Sequence, residues 1–354
     1  DGSTNITTAT SSLNGFFTIK GGSYNTGVYL DKGATVANIG DDFSNFGSRS
    51  QTTIESGTYN VGAYLNQAKA TYISGNYKIA STAGKWNAGV LLRGDHSTAT
   101  GSQVDDIRGI YHIDSDSNDG IYVDRDSYFK QVVYSTFNLN SEYSNGIYLQ
   151  KAATPSSKVN YSTFNINNKD YSTGITIFER SATAGSIDMT ANKFNLTGKS
   201  ATASSHSTGI YIKRLQNLTL DGTNPGNYAT RFTLKNGTTG ITIDNEIGSG
   251  AESTTPYTFA SGTLTITSKT DPNSVPLSTP GAASNRAVAM NIGNDGSKYN
   301  VGVNIQKGSF YLPAALYNEH DFMVHSWGDT PNKNVITMTN AYVAGTNEHD
   351  RGID

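Results

Sequence analysis

The heptapeptide Tyr134-Ser135-Thr136-Phe137-Asn138-Leu139-Asn140 returns 27 residues later as Tyr161-Ser162-Thr163-Phe164-Asn165-Ile166-Asn167. In each copy a Phe and an aliphatic residue stand two apart with polar residues around them, the period-two pattern of a strand with one buried face. The same pair occurs at Phe17/Ile19, Tyr77/Ile79, Tyr111/Ile113, Phe194/Leu196, Phe232/Leu234, Leu264/Ile266 and Met290/Ile292. Downstream of most pairs comes a second motif of Gly, aliphatic, outward residue, aliphatic. Gly27-Val28-Tyr29-Leu30 opens that series, Gly62, Gly89, Gly120, Gly146, Gly174, Gly209, Gly240 and Gly302 head the later copies, and Gly352-Ile353 begins another. Successive spacings up to Gly240 are 35, 27, 31, 26, 28, 35 and 31 residues.

Two residues before each glycine stands a small polar residue: Asn25, Asn60, Asn87, Asn118, Ser144, Ser172, Ser207, Thr238, Asn300 and Asp350. Three before, an aromatic recurs at Tyr24, Tyr59, Trp86, Tyr143, Tyr171 and Tyr299. A fainter third column runs through Val132/Tyr134, Val159/Tyr161, Ile187/Met189 and Leu218/Leu220. Repeats of this length made only of short strands and turns predict an all-β chain folded as a parallel β-helix, a solenoid with three short strands per coil. About eleven or twelve coils at a strand spacing of ~4.8 Å would give a single rod over residues 1–354, roughly 50–60 Å long. Loop excursions are expected at about 245–258, 267–285 and 313–334, degenerate coils around Val275-Pro276-Leu277 and around Phe310/Leu312 and Val324, and a C-terminus cut within a coil. A helical reading fails, since Gly, Ser, Thr, Asn and β-branched residues crowd the chain without any 3.6-residue apolar period.

The motif glycines are expected just after a corner, where a residue without Cβ either takes positive φ or lets neighbouring coils approach. The Asn/Ser/Thr column is expected to bond backbone groups at the turn and its own members along the stack.

Composition narrows the function classes. With 26 Lys and Arg against 29 Asp and Glu the net charge is −3, which argues against nucleic acid as a partner and against a polybasic membrane anchor. Charged residues make up 16% of the chain, under the usual ~25%, and Gly, Ser, Thr and Asn fill the gap. The 21 Tyr and 13 Phe exclude a disordered tail. There is no Cys, hence no disulfide, thiolate metal site or cysteine nucleophile. Apolar runs fall far short of the ~18–20 residues of a membrane span.

The succession Ser144-Asn145-Gly146-Ile147-Tyr148-Leu149 resembles the repeats of bacterial autotransporter passengers, the β-helical part of type V secreted proteins. The resemblance is one of repeat style over nearly the whole chain. It implies export to the outside or the cell surface of a bacterium and a role in adhesion, aggregation or delivery. The family's C-terminal membrane barrel is not found after Gly302, where no series of ~10-residue alternating strands occurs. A passenger fragment or one module of a fibre is therefore the expectation.

Several residues are candidate binding groups. Arg93-Gly94-Asp95 follows a strand and places an integrin-type tripeptide at a coil exit, the competing reading being an ordinary solvated turn. Tyr29, Tyr64, Tyr122, Tyr148 and Tyr211 occupy the outward motif position, with Leu91 among them, and could stack on sugars or pack on a neighbouring rod. They could equally stabilise adjacent strands. Asp114, Asp116 and Asp119 are hard oxygen ligands at close spacing and are a candidate calcium site, with solvated turn carboxylates as the alternative. Apart from Ca²⁺ no cofactor is expected. His320, Asp321 and His325 could meet on a metal, but Asn347-Glu348-His349-Asp350 repeats the run Asn318-Glu319-His320-Asp321, so a repeated turn explains them more simply. The expected function is non-enzymatic: an adhesin, passenger stalk or self-associating fibre, whose partners are other copies of itself, end to end or lateral, and a host receptor or glycan. The alternative is a carbohydrate-active β-helix enzyme, for which no carboxylate pair can be singled out.

Overall fold

The computed structural model describes residues 12–40, 50–95, 100–152, 157–180, 186–199, 206–212, 230–235 and 238–243, together with the backbone of strands within 217–220 and between 257 and 353. All regular structure among them is β-strand, and every pairing between strands is parallel. The chain forms two compact units, residues 1–162 with 178–185 and residues 163–177 with 186–354. Among the described residues each is built of parallel sheets as a β-solenoid, the fold class predicted from the repeat.

In the first unit the glycine motif forms one column of strands: Thr26–Leu30, Val61–Asn66, Ala88–Arg93, Asp119–Asp124 and Asn145–Ala152. Their register superposes the motif, Val28 on Ala63, Val90, Ile121 and Ile147. The aliphatic positions are buried and form ladders through the core. The other two strands of a coil are Tyr128–Val133 and Thr136–Leu139, paired with the two halves of Gln103–Ile113. In the coils holding Lys69–Ile79 and Gln103–Ile113 these two strands merge into one that passes Gly75 and Gly109, which face each other in register. Gly75 takes φ 136°, a conformation closed to other side chains, so the bend there needs no turn.

The pair Phe/aliphatic of the sequence supplies the rest of the core. Tyr77, Tyr111 and Phe137 stack ring on ring at 5.2 and 4.6 Å with planes 9° and 8° apart. In the second unit Phe164, Phe194 and Phe232 do the same at 4.7 and 4.5 Å. Full burial of each ring contributes roughly 1.5–3 kcal/mol, so these stacks are major terms in holding coil to coil.

The motif glycines serve close approach and not a turn. Their φ angles are not positive; instead a Cβ on Gly89 would stand 2.7 Å from the carbonyl oxygen of Gly120 and 3.1 Å from the Tyr111 ring. The inner aromatic lies over the glycine, which is why the two columns recur together. Positive φ belongs to the residue three before each glycine: Tyr24 (64°), Tyr59 (57°), Trp86 (65°), Ser117 (60°) and Tyr143 (55°) in the first unit, Tyr171 (58°) and His206 (51°) in the second.

The small polar residue after this corner joins the coils, exposed at Asn25 and buried from Asn60 onward. The backbone N–H of Asn25 donates to Oδ1 of Asn60 at 2.8 Å, that of Asn60 to Asn87 at 2.8 Å, that of Asn87 to Asn118 at 2.7 Å, and that of Asn118 to Oγ of Ser144 at 3.2 Å. In the second unit the N–H of Ser172 donates to Oγ of Ser207 at 3.2 Å. Both other corners use the same device. Positive-φ Tyr134 precedes Ser135, whose N–H donates to Ser162 Oγ at 3.2 Å, and positive-φ Gln67 precedes Ala68, whose N–H donates to Ser102 Oγ at 3.2 Å.

Some assignments differ from those read in the sequence. Tyr134 and Tyr161 are exposed corner residues stacked at 5.2 Å, not members of the inward third column. Val288–Ile292 continues the glycine-motif column by pairing with Thr239–Ile243, so Met290 and Ile292 leave the Phe column. Gly302–Ile305, read as a glycine motif, pairs instead with Tyr257–Phe259. The reason is physical: period-two alternation is common to all three strand columns, so apolar spacing alone does not say which one a strand joins. The expected excursion at 313–334 contains the motif-column strand Phe322–Ser326, with Val324 in register with Met290, and that at 245–258 runs into the strand Tyr257–Phe259. The excursion at 267–285, with Val275-Pro276-Leu277, lies outside the described residues, as do His320 and Asp321.

Candidate functional site

On the outer face of the motif column in the first unit lies a groove with a cavity volume of about 400 Å³. One wall is the corner column Tyr24, Tyr59, Trp86, Ser117 and Tyr143; the other is the outward motif column with Tyr64, Leu91, Tyr122 and Tyr148. The floor is made by the residue just before each glycine, Thr26, Val61, Ala88, Asp119 and Asn145. Strict alternation would set the residue before glycine and the one two after it, three apart, on opposite faces. Both line the groove because alternation is broken at the glycine, whose missing Cβ faces the inner aromatic ring and the carbonyl of the next coil's glycine. The left-handed corner then projects its aromatic beside the strand.

The corner rings are well exposed, 75% for Tyr24, 61% for Trp86 and 56% for Tyr143. Tyr24 and Tyr59 lie parallel at 5.0 Å with planes 8° apart. On the opposite wall Tyr122 stacks on Tyr148 at 5.3 Å with planes 6° apart, and Tyr64 is met edge-on at 5.2 Å by Tyr29, which does not itself line the groove. Tyr29 also donates to Asp31 at 3.0 Å, and burial together with the nearby Asp31 charge raises its phenol pKa. The Tyr122 hydroxyl donates to Oε1 of Gln150, and burial, then the Asp124 charge, pushes its pKa well above the ordinary tyrosine value. Tyr29 and Tyr122 are therefore neutral at physiological pH.

Asp119 sits on the floor between Ala88 and Asn145, its register neighbours. Oδ1 accepts from Nδ2 of Asn145 at 2.8 Å. Desolvation dominates nonetheless and raises its pKa to about 7, against 3.8 for a free aspartate, with the Asn145 hydrogen bonds opposing the shift. The group can therefore both accept and donate a hydrogen bond near neutral pH.

The sequence candidates fare differently. Tyr64, Tyr122 and Tyr148 are brought together in the groove, while Tyr211 belongs to the second unit, flanked in register by Thr176 and Thr242. The three aspartates do not converge: Asp114 accepts from Asn140 Nδ2 at 2.8 Å, Asp116 from the Glu142 N–H at 2.7 Å, and Asp119 from Asn145. Each pairs separately with a residue of the following coil, and among the described residues no three His, Asp or Glu side chains form a group that could hold a metal ion. Arg93-Gly94-Asp95 is divided as well. Arg93 lines the groove, Gly94 is buried with its Cα hydrogen facing the Arg125 carbonyl, and Asp95 bridges to Thr100 through an N–H···O bond of 2.9 Å.

Sequence reasoning did not assign the corner aromatics Tyr24, Tyr59, Trp86 and Tyr143 to a site. Their signal was visible as the aromatic three residues before glycine, but nothing in the spacing says that the corner is left-handed and throws those rings onto the same face as the outward tyrosines.

Fold and groove together define a class: a parallel β-solenoid with an aromatic-walled, nearly uncharged groove across its coils. Compared with known proteins, the chain matches no family model, no curated protein and no solved structure.

Proposed function

We propose that this protein is a non-enzymatic, glycan-holding β-solenoid of a bacterial cell surface, an adhesin in the sense implied by the repeat resemblance. The observation that carries this reading is the groove, with tyrosine and tryptophan rings on both walls and amide, hydroxyl and carboxyl groups on its floor and rim. Sugars need that combination, apolar faces for their C–H groups and polar partners for their hydroxyls. Low charge and an Asn, Ser and Thr-rich surface suit a neutral ligand. Repetition across coils offers several weak contacts, which add up for a glycan with more than one sugar in reach.

The raised pKa of Asp119 favours a second reading, a carbohydrate-active enzyme with this carboxyl as general acid. Against it, Asp119 is the single carboxylate among the residues lining the groove, whereas glycoside hydrolysis needs two across the scissile bond at ~5–9.5 Å. An array of defined plant and bacterial glycans, followed by assays for reducing ends and unsaturated products, separates the two. Retention of a glycan without products is expected. Turnover that Asp119→Asn abolishes would transfer the protein to the enzymes, and an array with no retained glycan would remove both readings.

A further inference from the structure

The corner column is not continuous. Every other coil of the first unit whose corner precedes a motif glycine places a Tyr or Trp there, but the coil of Gly120 places Ser117. Backbone hydrogen bonds join the coils at this position, the Trp86 N–H donating to Ser117 O at 2.8 Å and the Ser117 N–H to Glu142 O at 3.0 Å, and the next residue keeps the column's register, the Asn87 N–H donating to Asn118 Oδ1 at 2.7 Å and the Asn118 N–H to Ser144 Oγ at 3.2 Å. Ser117 also shares the left-handed conformation of its neighbours, φ 60° against 65° for Trp86 and 55° for Tyr143. The column therefore lacks one ring without lacking one coil. The backbones at Trp86 and Tyr143 are left two strand spacings apart, about 9.5 Å.

The width selects what fits. A planar aromatic ligand packs at roughly 3.5–4.0 Å from each ring, so it would leave about 2 Å of the gap unfilled. A puckered saturated ring with hydrogens projecting from both faces is thicker. Beneath the gap the floor is Asp119, in the same coil as Ser117, with Asn145 beside it in the next. On the far wall the same region carries the other interruption of the aromatic columns, Leu91 in register with Tyr122. The gap thus has two ring walls, a hydrogen-bonding floor and a short aliphatic back.

We propose that the space above Ser117, between Trp86 and Tyr143, is a subsite for one pyranose ring of a neutral glycan, held edge-inward with its two faces against the two aromatic rings and its hydroxyls on Asp119 and Asn145. A ring in this position has room for its glycosidic bond only toward solvent, so the subsite takes a terminal or branch residue and not the interior of a linear chain. This rests on the glycan-binding reading above and adds to it the location, the sugar form and the chain-end selectivity.

The test uses the full chain, with the neutral oligosaccharide most strongly retained by the array as probe, and isothermal titration as readout. Ser117→Tyr fills the gap with the residue that the same left-handed corner already accepts at Tyr59 and Tyr143, so the variant should melt at or above the temperature of the parent. Its affinity for the probe should drop at least tenfold, as should that of Trp86→Ala, while Tyr134→Ala, at an exposed corner away from the groove, should stay within threefold. Trp86 is one of two tryptophans, so in a Trp327→Phe background its emission should shift on titration of the probe. A branched or end-exposed oligosaccharide should compete better than a linear chain of equal mass. If the parent binds the probe and Ser117→Tyr binds it equally well, the subsite is wrong and the groove reading stands. If no glycan binds the parent, the groove reading itself is wrong.

Discussion

At the scale of single residues, buried amides join the coils. Oδ1 of Asn87 takes the Asn60 N–H, while its Nδ2 donates to the carbonyls of Gly84 at 2.7 Å and Gly57 at 3.2 Å. Removing the carboxamide strands a buried donor and two acceptors, each worth about 1–3 kcal/mol when water cannot reach it. Asn87→Ala should therefore cost about 2–4 kcal/mol in urea unfolding. Asn87→Ser should cost clearly less, because Ser144 and Ser207 already take the same N–H elsewhere in the column. Asp119 provides a second residue-scale test. Its folded pKa of about 7 lies above the unfolded 3.8, so the native state binds an extra proton between those values. Its contribution is fully present below pH 3.8, declines as pH rises, and is gone above pH 7. Asp119→Asn should gain stability relative to the parent by about 1–3 kcal/mol between pH 4 and pH 8, measured as the difference in unfolding free energy; a difference that does not change with pH would contradict the burial of this carboxyl.

At the scale of elements, the aromatic stack inside the coils and the glycine beside it are one device. The Tyr111 ring lies between Tyr77 and Phe137, yet its hydroxyl is buried without a hydrogen-bond partner, and burial lifts its pKa well above the ordinary value. An unpaired buried hydroxyl costs about 1–3 kcal/mol, and Phe already fills the equivalent place at Phe137. Tyr111→Phe should accordingly raise stability by about 1–2 kcal/mol, seen as a higher melting temperature; a loss would mean that the hydroxyl has a role. Gly120→Ala tests the other half. Its Cβ would meet the Gly146 carbonyl oxygen at 2.6 Å and the Phe137 ring at 2.9 Å. Overpacking of this kind costs about 1–3 kcal/mol, and no flexible side-chain end is available to yield. The strand columns were legible because each demands a residue type: Gly where backbone passes backbone, Phe or Tyr where a ring covers it, Asn or Ser where an N–H must be met. Corner handedness was not legible, since a Tyr or Trp at positive φ runs against the usual preference for Gly and Asn, and only the stacked neighbour and the following amide make it tolerable. Beyond Gly240 the register slipped for Gly302 and Met290 because alternation alone does not separate the columns.

At the scale of the whole molecule, the aromatics of a low-charge, cysteine-free chain fall, among the described residues, both inside the coils, as Phe and Tyr, and outside them, as the Tyr and Trp of the groove and as exposed rings elsewhere such as Tyr134, Tyr161 and Tyr171. The candidate site was half legible: the outward tyrosines Tyr64, Tyr122 and Tyr148 were singled out, the facing wall was not, and the suspected aspartate cluster dissolved into separate contacts between coils. The central claim is that the outer aromatics form a ligand groove and are not merely strand supports. Oxidative footprinting of the intact protein, read by mass spectrometry with and without a saturating neutral oligosaccharide, tests it directly, because exposed tyrosines occur both in the groove and away from it. Protection of Trp86, Tyr143 and Tyr59 is predicted, with Tyr134 and Tyr161 at a different corner oxidised as before. Protection at Tyr134 and Tyr161 instead, or equal oxidation everywhere under conditions where binding is saturated, would contradict the account.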